Sequence, residues 1–208
     1  MGLPLDHIVY AFPDLIYGIE YIREVLEVEP VYGGRHINFG THNALIGLSQ
    51  GIYLEIIAPD PDNNLVKPPR WMGVDELKTR GVITRLALKT ENISEDLKLI
   101  GTIDNRAHLS GKGNRITNTG DLLSWHMSYP FPTPLVDPVP FLVQWETNFH
   151  PADHLNHGFE FSHLELNIPA KFNNISKIFA PQQVTIKNSK STKIKLYVKR
   201  NNKTIVLG

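Results

Sequence analysis

The sequence predicts an α+β protein in which two β-α-β-β-β units pair, so that their strands form one cup-shaped mixed sheet. Three observations predict this fold class. Apolar runs of strand length recur along the chain, and a stripe of helical period follows the first run of a unit. The starts of three successive units also share one apolar spacing, in LDHIVYAFP, ITRLALKTE and FSHLELNIP. The third unit is partial and lies at the C-terminus.

The first unit covers residues 4–58. Asp14 precedes the apolar helical stripe and is its expected cap. The triplet Ser49-Gln50-Gly51 separates two apolar runs, which predicts a β-hairpin. The expected elements are a strand at 4–11, a helix at 15–26, and strands at 29–32, 41–48 and 52–57.

A proline-rich insertion at 59–80 separates the first unit from the second, which covers 82–147. The insertion should be a surface loop with one short helix at 72–79. Strands are expected at 82–89, 122–129 and 141–146, a helix at 92–100 with Ser94 near its start, and a further strand hidden within 103–118.

The last third of the chain repeats the element order once more. We assign residues 1–147 to the paired units and 148–160 to a connector. The partial unit at 161–208 should pack on the same domain, extending a sheet or forming a dimer contact. Its expected elements are strands at 161–168, 183–187, 193–199 and 203–207, and a helix at 172–179.

Composition excludes several function classes. The 21 basic and 21 acidic residues cancel, which gives no reason to expect nucleic acid or an acidic membrane as partner. The absence of cysteine excludes disulfides, thiolate metal sites and cysteine nucleophiles. No apolar run approaches the ~20 residues of a membrane span, and the first residues lack the signal-peptide pattern. We therefore expect a cytoplasmic protein.

Glu55 is the residue that the stretch 33–61 singles out. It lies in the middle of the apolar run YLEII, where a carboxylate is costly to bury unless it is paired, protonated or bound to a metal. His7 occupies a comparable place in the apolar first strand. Both residues are candidates for chemistry, with a structural ion pair of Glu55 and a satisfied core histidine as the plainer alternatives.

Several motifs occur together in a fixed order. They are LDHIVYA, GGRH, GTHNAL, YLEIIAPDP and PFLVQWETNFHPADHL. On these motifs, residues 3–180 resemble the glyoxalase-like domain family of the vicinal oxygen chelate superfamily, which includes glyoxalase I, bleomycin resistance proteins and extradiol dioxygenases. The resemblance implies paired units around a ligand cup, and a lyase, isomerase or dioxygenase type of activity if the chain is an enzyme.

The resemblance also implies a ligand set. Metal enzymes of the superfamily use the first and last strands of each paired unit, which places His7 and Glu55 in unit one and Arg85 and Gln144 in unit two. Arginine cannot ligate a cation. Two interpretations therefore stay open. One is a divalent metal (Mn, Fe, Ni or Zn) on His7 and Glu55 with Gln144 as a weak third ligand. The other is a metal-free pocket in which Arg85 pairs with Glu55.

The pocket rim and walls supply further candidates. Four polar residues, Arg35, His36, His42 and Asn43, fall within nine positions and predict a rim of ligand-orienting donors, with local turn chemistry as the alternative. Trp125 is an expected cup wall. Gln144 and Trp145 are neighbours on a strand and must face opposite ways, so a Gln144 in the cup excludes Trp145 from it.

The connector carries three histidines. His150, His154 and His157 have the spacing of a helical metal pair, but Pro151 and Gly158 bracket them. We therefore expect a solvated connector rather than a metal site.

These observations predict an enzyme acting on an oxygen-rich or carbonyl-bearing metabolite. Glu55 would be base or ligand, His7 ligand or acid/base, and Arg85 the stabiliser of negative charge. The alternative is a metal-free binding protein without turnover, and a third is a scaffold whose cup is filled by its own side chains. The expected partner is a small molecule, with a homodimer as a further expectation. The sequence leaves open the substrate and whether the 59–80 loop is a lid.

Overall fold

The computed structural model describes residues 2–116, 120–156, 158–181 and 183–208. Short 3₁₀ turns occupy Ser49–Gly51, Trp71–Glu76, Pro151–His154 and Ala170–Lys177. The helices and strands are β1 (Leu5–Ala11), α1 (Leu15–Leu26), β2 (Val31–His36), β3 (Thr41–Gly47), β4 (Tyr53–Pro59), β5 (Val82–Lys89), α2 (Ile93–Gly101), β6 (Leu109–Ile116), β7 (Leu122–Ser128), β8 (Phe141–Trp145), β9 (Glu160–Ile168), β10 (Val184–Asn188), β11 (Lys193–Arg200) and β12 (Lys203–Leu207).

The two paired units form one eight-stranded mixed sheet in the order β2-β3-β4-β1-β5-β8-β7-β6. Within each unit the first and last strands are parallel neighbours, β1 with β4 and β5 with β8, and the two first strands pair antiparallel at the centre. The outermost strands approach each other, because Arg115 on β6 donates to the carbonyl of Gly33 on β2. The predicted fold class is therefore confirmed.

The two faces of this sheet bury different sets of residues. The outer face packs its alternate apolar residues against α1, with Ile22 and Leu26 fully buried there. Each such side chain contributes roughly 1.5–3 kcal/mol of hydrophobic burial. Asp14 caps α1 as expected, accepting from the backbone N–H of Tyr17 at 2.9 Å. The inner face holds a separate apolar cluster that includes Val9, and this face forms the cup.

The C-terminal strands form a second sheet in the order β10-β9-β11-β12. The element order of the paired units recurs, but β9 lies between β10 and β11, so the strand order differs. A 3₁₀ turn over Ala170–Lys177 stands where a helix was expected, and consecutive Asn173 and Asn174 disfavour a helix interior. Residues of both sheets share one buried cluster, and Leu48 forms a bridge to Phe159.

One strand boundary differs clearly from the sequence prediction. Strand β2 runs through Gly33 and Gly34 to His36 instead of ending before them. Helix α2 begins close to the expected residue 92, and its cap is Asn92, whose side chain accepts from Glu95 N. The strand suspected within 103–118 is β6. Among the described residues, no helix combines the length and apolar character needed to cross a membrane.

Candidate functional site

A small cavity of about 40 Å³ lies on the inner face of the cup. Glu55 and His7 lie at its polar end and aromatic side chains enclose the rest. Its lining includes Trp71, Trp125 and Trp145, which are the three tryptophans of the chain. The full lining is His7, His36, Asn43, Tyr53, Glu55, Trp71, Met72, Trp125, Met127, Phe141, Val143 and Trp145.

Glu55 is the only carboxylate in this lining and is 4% exposed. The amide of Asn43 donates to its Oε1 at 2.6 Å. Its Oε2 lies 3.6 Å from Nε2 of His7, and its Oε1 lies 3.9 Å from Nε2 of His36. Strands β3, β4 and β1 present these groups side by side, because Asn43 and Glu55 both point inward. The buried carboxylate thus has donors that offset its desolvation.

His7 is held from behind by Asp6, a residue that sequence reasoning missed. Oδ1 of Asp6 lies 2.6 Å from Nδ1 of His7. Strict alternation would place neighbouring strand residues on opposite faces, but the pairing of β1 with β5 shifts between Leu5 and His7. Such a bulge re-aims one side chain. Asp6 and His7 therefore meet, and the adjacency of Asp and His in the sequence is the signal that could have found the pair.

The buried Asp6 carboxylate also accepts on its other oxygen. Trp145 donates to Oδ2 at 2.9 Å, and Nε2 of His150 lies 3.0 Å from the same atom. Burial alone would raise the pKa of Asp6, but the hydrogen bonds from His150 and His7 outweigh it and hold this pKa well below its usual range. An ionised carboxylate only accepts, so Nδ1 of His7 carries a proton and Nε2 faces Glu55.

His36 forms a second polar layer behind Glu55. Its Nδ1 lies 3.0 Å from the hydroxyl oxygen of Thr41, which also accepts from the indole of Trp71 at 2.9 Å. Burial lowers the pKa of His36 to about 4, although the charge of Glu55 opposes this. His36 is therefore neutral near pH 7, and its Nε2 accepts from Asn43 at 3.4 Å.

Asn43 leaves one polar atom unpaired in this cluster. Its Oδ1 is buried and has no hydrogen-bond partner among the residues that the structure describes. The backbone of Gly33 approaches this oxygen closely, since a Cβ at Gly33 would lie 2.3 Å from it. A buried acceptor without a partner lowers the stability of the protein, and a donor group on a ligand would satisfy it.

The proline-rich insertion supplies the roof of the cavity. Trp71 and Met72 are buried, so this part of the expected surface loop packs into the cup, and it forms a 3₁₀ turn instead of the expected helix. The indole of Trp71 stacks on Phe39 at 3.8 Å between ring centroids. The amide of Met72 donates to the carbonyl of Pro130 at 3.3 Å. The roof is thus tied to both sides of the cup.

Arg85 does not pair with Glu55, contrary to the second interpretation of the sequence. Its guanidinium donates to four backbone carbonyls at 2.6–2.8 Å. It lines a different cavity from Glu55. A fork of five donors suits converging carbonyls, so Arg85 holds the segment against which the roof packs. The carbonyls belong to Thr84, Phe131, Pro134 and Leu135.

Gln144 does not face the cup, and the expected assignment of this position is wrong by one residue. Its Oε1 accepts from the backbone N–H of Ile93 at 2.9 Å, at the start of α2. Trp145 instead lines the cavity, opposite Trp125 on β7 with their ring centroids 5.5 Å apart. Side chains alternate along a strand, so Gln144 and Trp145 face opposite ways, and the register of β8 decides which of them enters the cup. Trp125 forms the cup wall.

The four expected rim residues divide between two faces. His36 and Asn43 line the cavity. Arg35 is exposed and binds Asp60 at 2.6 Å, and His42 is absent from the cavity lining. Burial lowers the pKa of His42, and its Nε2 has no partner among the described residues. Neighbours on a strand cannot share a face, so only half of the set converges.

The connector is partly drawn into the site. His150 reaches Asp6, so it is not solvated as expected, whereas His154 is exposed. His157 lies outside the described residues.

The donor set fits a metal poorly. His7 and Glu55 are close enough to share a cation, but the unit-two strands offer no ligand: Ala87 lies beside His7, and Val143 and Trp145 line the cavity. Over the described ranges, no group of three or more His, Asp or Glu side chains could hold a metal ion. Protein metal sites with an open position use about three protein ligands. We therefore derive no chemistry through a metal.

Comparisons with known proteins agree with the architecture. The profile of the glyoxalase-like domain family matches residues 5–178. A hypothetical protein from Staphylococcus aureus of known structure superposes with a TM-score of 0.65 at 17% identity, over 98% of each chain.

Two methylmalonyl-CoA epimerases are more distant. The Streptomyces coelicolor enzyme, in a variant complexed with 2-nitronate-propionyl-CoA, has a TM-score of 0.44 at 19% identity, over 71% of this chain and 100% of its own. The Mycobacterium tuberculosis enzyme has a TM-score of 0.43 at 17% identity, over 70% of this chain and 89% of its own. No curated protein of similar sequence was found.

Proposed function

Because the chain belongs to the glyoxalase-like domain family, we propose that it is an enzyme that moves a proton on the carbon next to a carbonyl group of a small metabolite. One observation carries the proposal. Glu55 is buried in an aromatic cavity with Nε2 of the Asp6-anchored His7 at 3.6 Å from its carboxylate. A carboxylate base beside an oriented imidazole provides the catalytic groups that proton abstraction requires.

In the proposed reaction, the Glu55 carboxylate takes the proton and the C–H bond breaks. The bonding electron pair moves into the substrate and leaves an enolate oxygen. His7 donates from Nε2 to that oxygen when it carries both ring protons, and Asp6 stabilises this form from the other side. Glu55 then returns a proton to the same carbon, so the substrate leaves with its α-proton exchanged and Glu55 and His7 are in their starting states.

The surroundings favour such a step. Tryptophan, methionine and phenylalanine side chains form much of the cavity lining. In a dry site, hydrogen bonds to a developing oxyanion are stronger than in water. Among the described residues, the cavity lining holds no serine or cysteine nucleophile.

The test is exchange of α-protons in D₂O. A panel of small ketones, aldehydes and keto acids is incubated with the protein, and loss of the α-proton signal is followed by NMR. Wild type should accelerate exchange of at least one compound, and Glu55→Gln should lower that rate about 10²- to 10⁴-fold. Glu160→Gln is the matched control, because Glu160 is exposed on β9. If Glu55→Gln exchanges the α-proton as fast as wild type, the proposed mechanism is wrong.

A binding protein without turnover is the second candidate. Three tryptophans around one cavity suit the capture of a small flat ligand, which is the observation in its favour. Saturable quenching of tryptophan fluorescence by a compound that shows no exchange with the protein would select this function.

A further inference from the structure

Arg115 lies on the open side of the cup, on the edge strand β6. Two residues before it, Gly113 lies against the Trp125 ring, since a Cβ at Gly113 would be 2.5 Å from the indole. Residues two apart share a strand face, so Arg115 also points to the interior of the cup. It pairs in register with Leu123 of β7, one inward position beyond Trp125.

Arg115 belongs to a second cavity of about 140 Å³, whose lining uses the next inward positions on two of the strands that line the Glu55 cavity. On β3 the lining passes from Asn43 to Leu45, and on β7 it passes from Trp125 to Leu123. Arg115 is the only Arg or Lys side chain in an otherwise largely apolar lining. The lining is Val31, Tyr32, Gly33, Leu45, Arg115, Leu123, Phe149, Pro151, His154 and Leu155.

The half-buried guanidinium of Arg115 has few partners among the described residues. Its one hydrogen bond within the part of the chain that the structure describes goes from Nη1 to the carbonyl of Gly33. No carboxylate of the described residues forms an ion pair with it. Burial lowers the pKa of Arg115, while the charges of Tyr53 and Glu55 oppose this. A desolvated cation with free donors favours an anion, and the guanidinium fork matches a carboxylate.

A second unpaired group lies beside it. Within the described part of the chain, the buried Oδ1 of Asn43 has no partner, and it lies against Gly33, the residue whose carbonyl Arg115 binds. Free donors and a free acceptor therefore flank one backbone position, between the Glu55 cavity and the open edge. The donors of Arg115 suit a ligand carboxylate at that point, whereas Oδ1 of Asn43 can accept only from a ligand O–H or N–H group.

We propose that Arg115 binds the carboxylate of the ligand, so that the substrate class is small keto acids, with the carbonyl directed to His7 and Glu55. The reaction assigned to such an acid rests on the proposed function, but binding does not. Arg115 is then the residue that determines specificity for acids over neutral carbonyl compounds.

A purely structural role is the competing explanation, because the bond from Arg115 to Gly33 links the two edge strands. If this bond only holds the edge strands together, substitution of Arg115 would lower the stability of the protein and weaken the binding of all ligands equally. Recognition of a carboxylate would instead change the ratio of affinities for an acid and its methyl ester. This ratio separates the two roles.

The experiment uses tryptophan fluorescence, since all three tryptophans line the Glu55 cavity. The probes are pyruvate, 2-oxobutyrate, acetoacetate and phenylpyruvate at up to millimolar concentration, each with its methyl ester. The proteins are wild type, Arg115→Gln, Arg115→Lys and the control Arg106→Gln, an exposed arginine paired with Asp104. Circular dichroism verifies that each variant is folded.

At least one acid should bind wild type and the control more tightly than its ester does. Arg115→Gln should weaken that acid about 10- to 100-fold and leave the ester unchanged, with Arg115→Lys between them. The proposal is overturned if esters bind wild type as tightly as acids, if Arg115→Gln retains the preference for acids, or if no acid binds.

The proposed reaction and the proposed binding site can be refuted independently of each other. Binding of an acid through Arg115 without any Glu55-dependent α-proton exchange would refute the reaction and leave this site standing. Glu55-dependent α-proton exchange whose ratio of acid to ester rates is the same in wild type and in Arg115→Gln would do the reverse.

Discussion

Asp6 and His7 are sequence neighbours whose side chains hydrogen-bond at 2.6 Å between Oδ1 and Nδ1. A register shift in the pairing of β1 with β5 makes this contact geometrically available. The bond fixes which nitrogen of His7 faces Glu55. It also gives the buried carboxylate one of its three donors, with Trp145 and His150 as the others.

Asp6→Asn should therefore lower both stability and activity. Hydrogen bonds to a charged group contribute about 1.5–3 kcal/mol, so the unfolding free energy should fall by at least that amount near pH 7. Because the folded pKa of Asp6 is depressed, its stabilisation is present above the ordinary carboxyl pKa and is lost as pH falls through the folded value. Urea unfolding should show the difference between wild type and variant shrinking below about pH 4. A difference independent of pH would contradict this; the exposed Asp62→Asn is the control.

His36 should make the protein sensitive to mild acid. Its pKa is lowered to about 4 by burial, so the unfolded chain binds more protons than the native state between that value and the ordinary histidine pKa of 6.5. Stability from this group is fully present above pH 6.5 and is lost as pH falls toward 4. The loss should reach about 3 kcal/mol. Denaturant midpoints of wild type and His36→Asn across this pH range measure it. The exposed His154→Asn should keep the wild-type slope, and an equal slope in His36→Asn would refute the assignment.

Arg85 should behave as a structural residue. Arg85→Ala leaves four backbone carbonyls without their donor, and a buried unsatisfied acceptor costs about 1–3 kcal/mol. Arg85→Lys should rescue little, because an ammonium lacks the planar fork. Urea unfolding gives the magnitude. Arg23→Ala, at an exposed pair with Glu29, should change stability little. Normal stability of Arg85→Ala would restore a functional role for this residue.

Divalent metals should not stabilise the chelator-treated protein through this site. His7 and Glu55 converge, but the nearby Nε2 of His36 accepts from Asn43, and no three His, Asp or Glu side chains of the described residues form a metal-binding group. The thermal midpoint is measured with Mn²⁺, Fe²⁺, Co²⁺, Ni²⁺ and Zn²⁺ for wild type and Glu55→Gln. A metal at 100 times its dissociation constant would add ~2.7 kcal/mol and raise the midpoint by several degrees or less. A rise seen in wild type and absent from Glu55→Gln would place a metal at Glu55.

The sequence alone located the polar centre of the cup. Apolar periodicity and the repeated unit starts predicted the order of strands and the pairing of units, and one acid in an apolar strand identified Glu55. His7 followed from its place in the first strand. These inferences held because they depend on local pattern, which the period of a strand converts directly into a face of the sheet.

Register and long-range packing decided the rest. The register of β8 places Trp145 in the cup, where the sequence predicted Gln144. Alternation along the strands places His36 and Asn43 in the cavity lining and keeps Arg35 and His42 out of it. Register cannot be read from one strand alone, because it is set by pairing with its neighbours.

The remaining site residues depend on contacts between distant segments. Arg85 meets carbonyls of a loop some 46–50 residues further along the chain, and Arg115 meets Gly33 across the closing edge of the sheet. The bulge that turns Asp6 toward His7 breaks the very alternation on which sequence reasoning relied. The sequence thus determined the strands and the buried acid, while the curl of the sheet determined which side chains surround that acid.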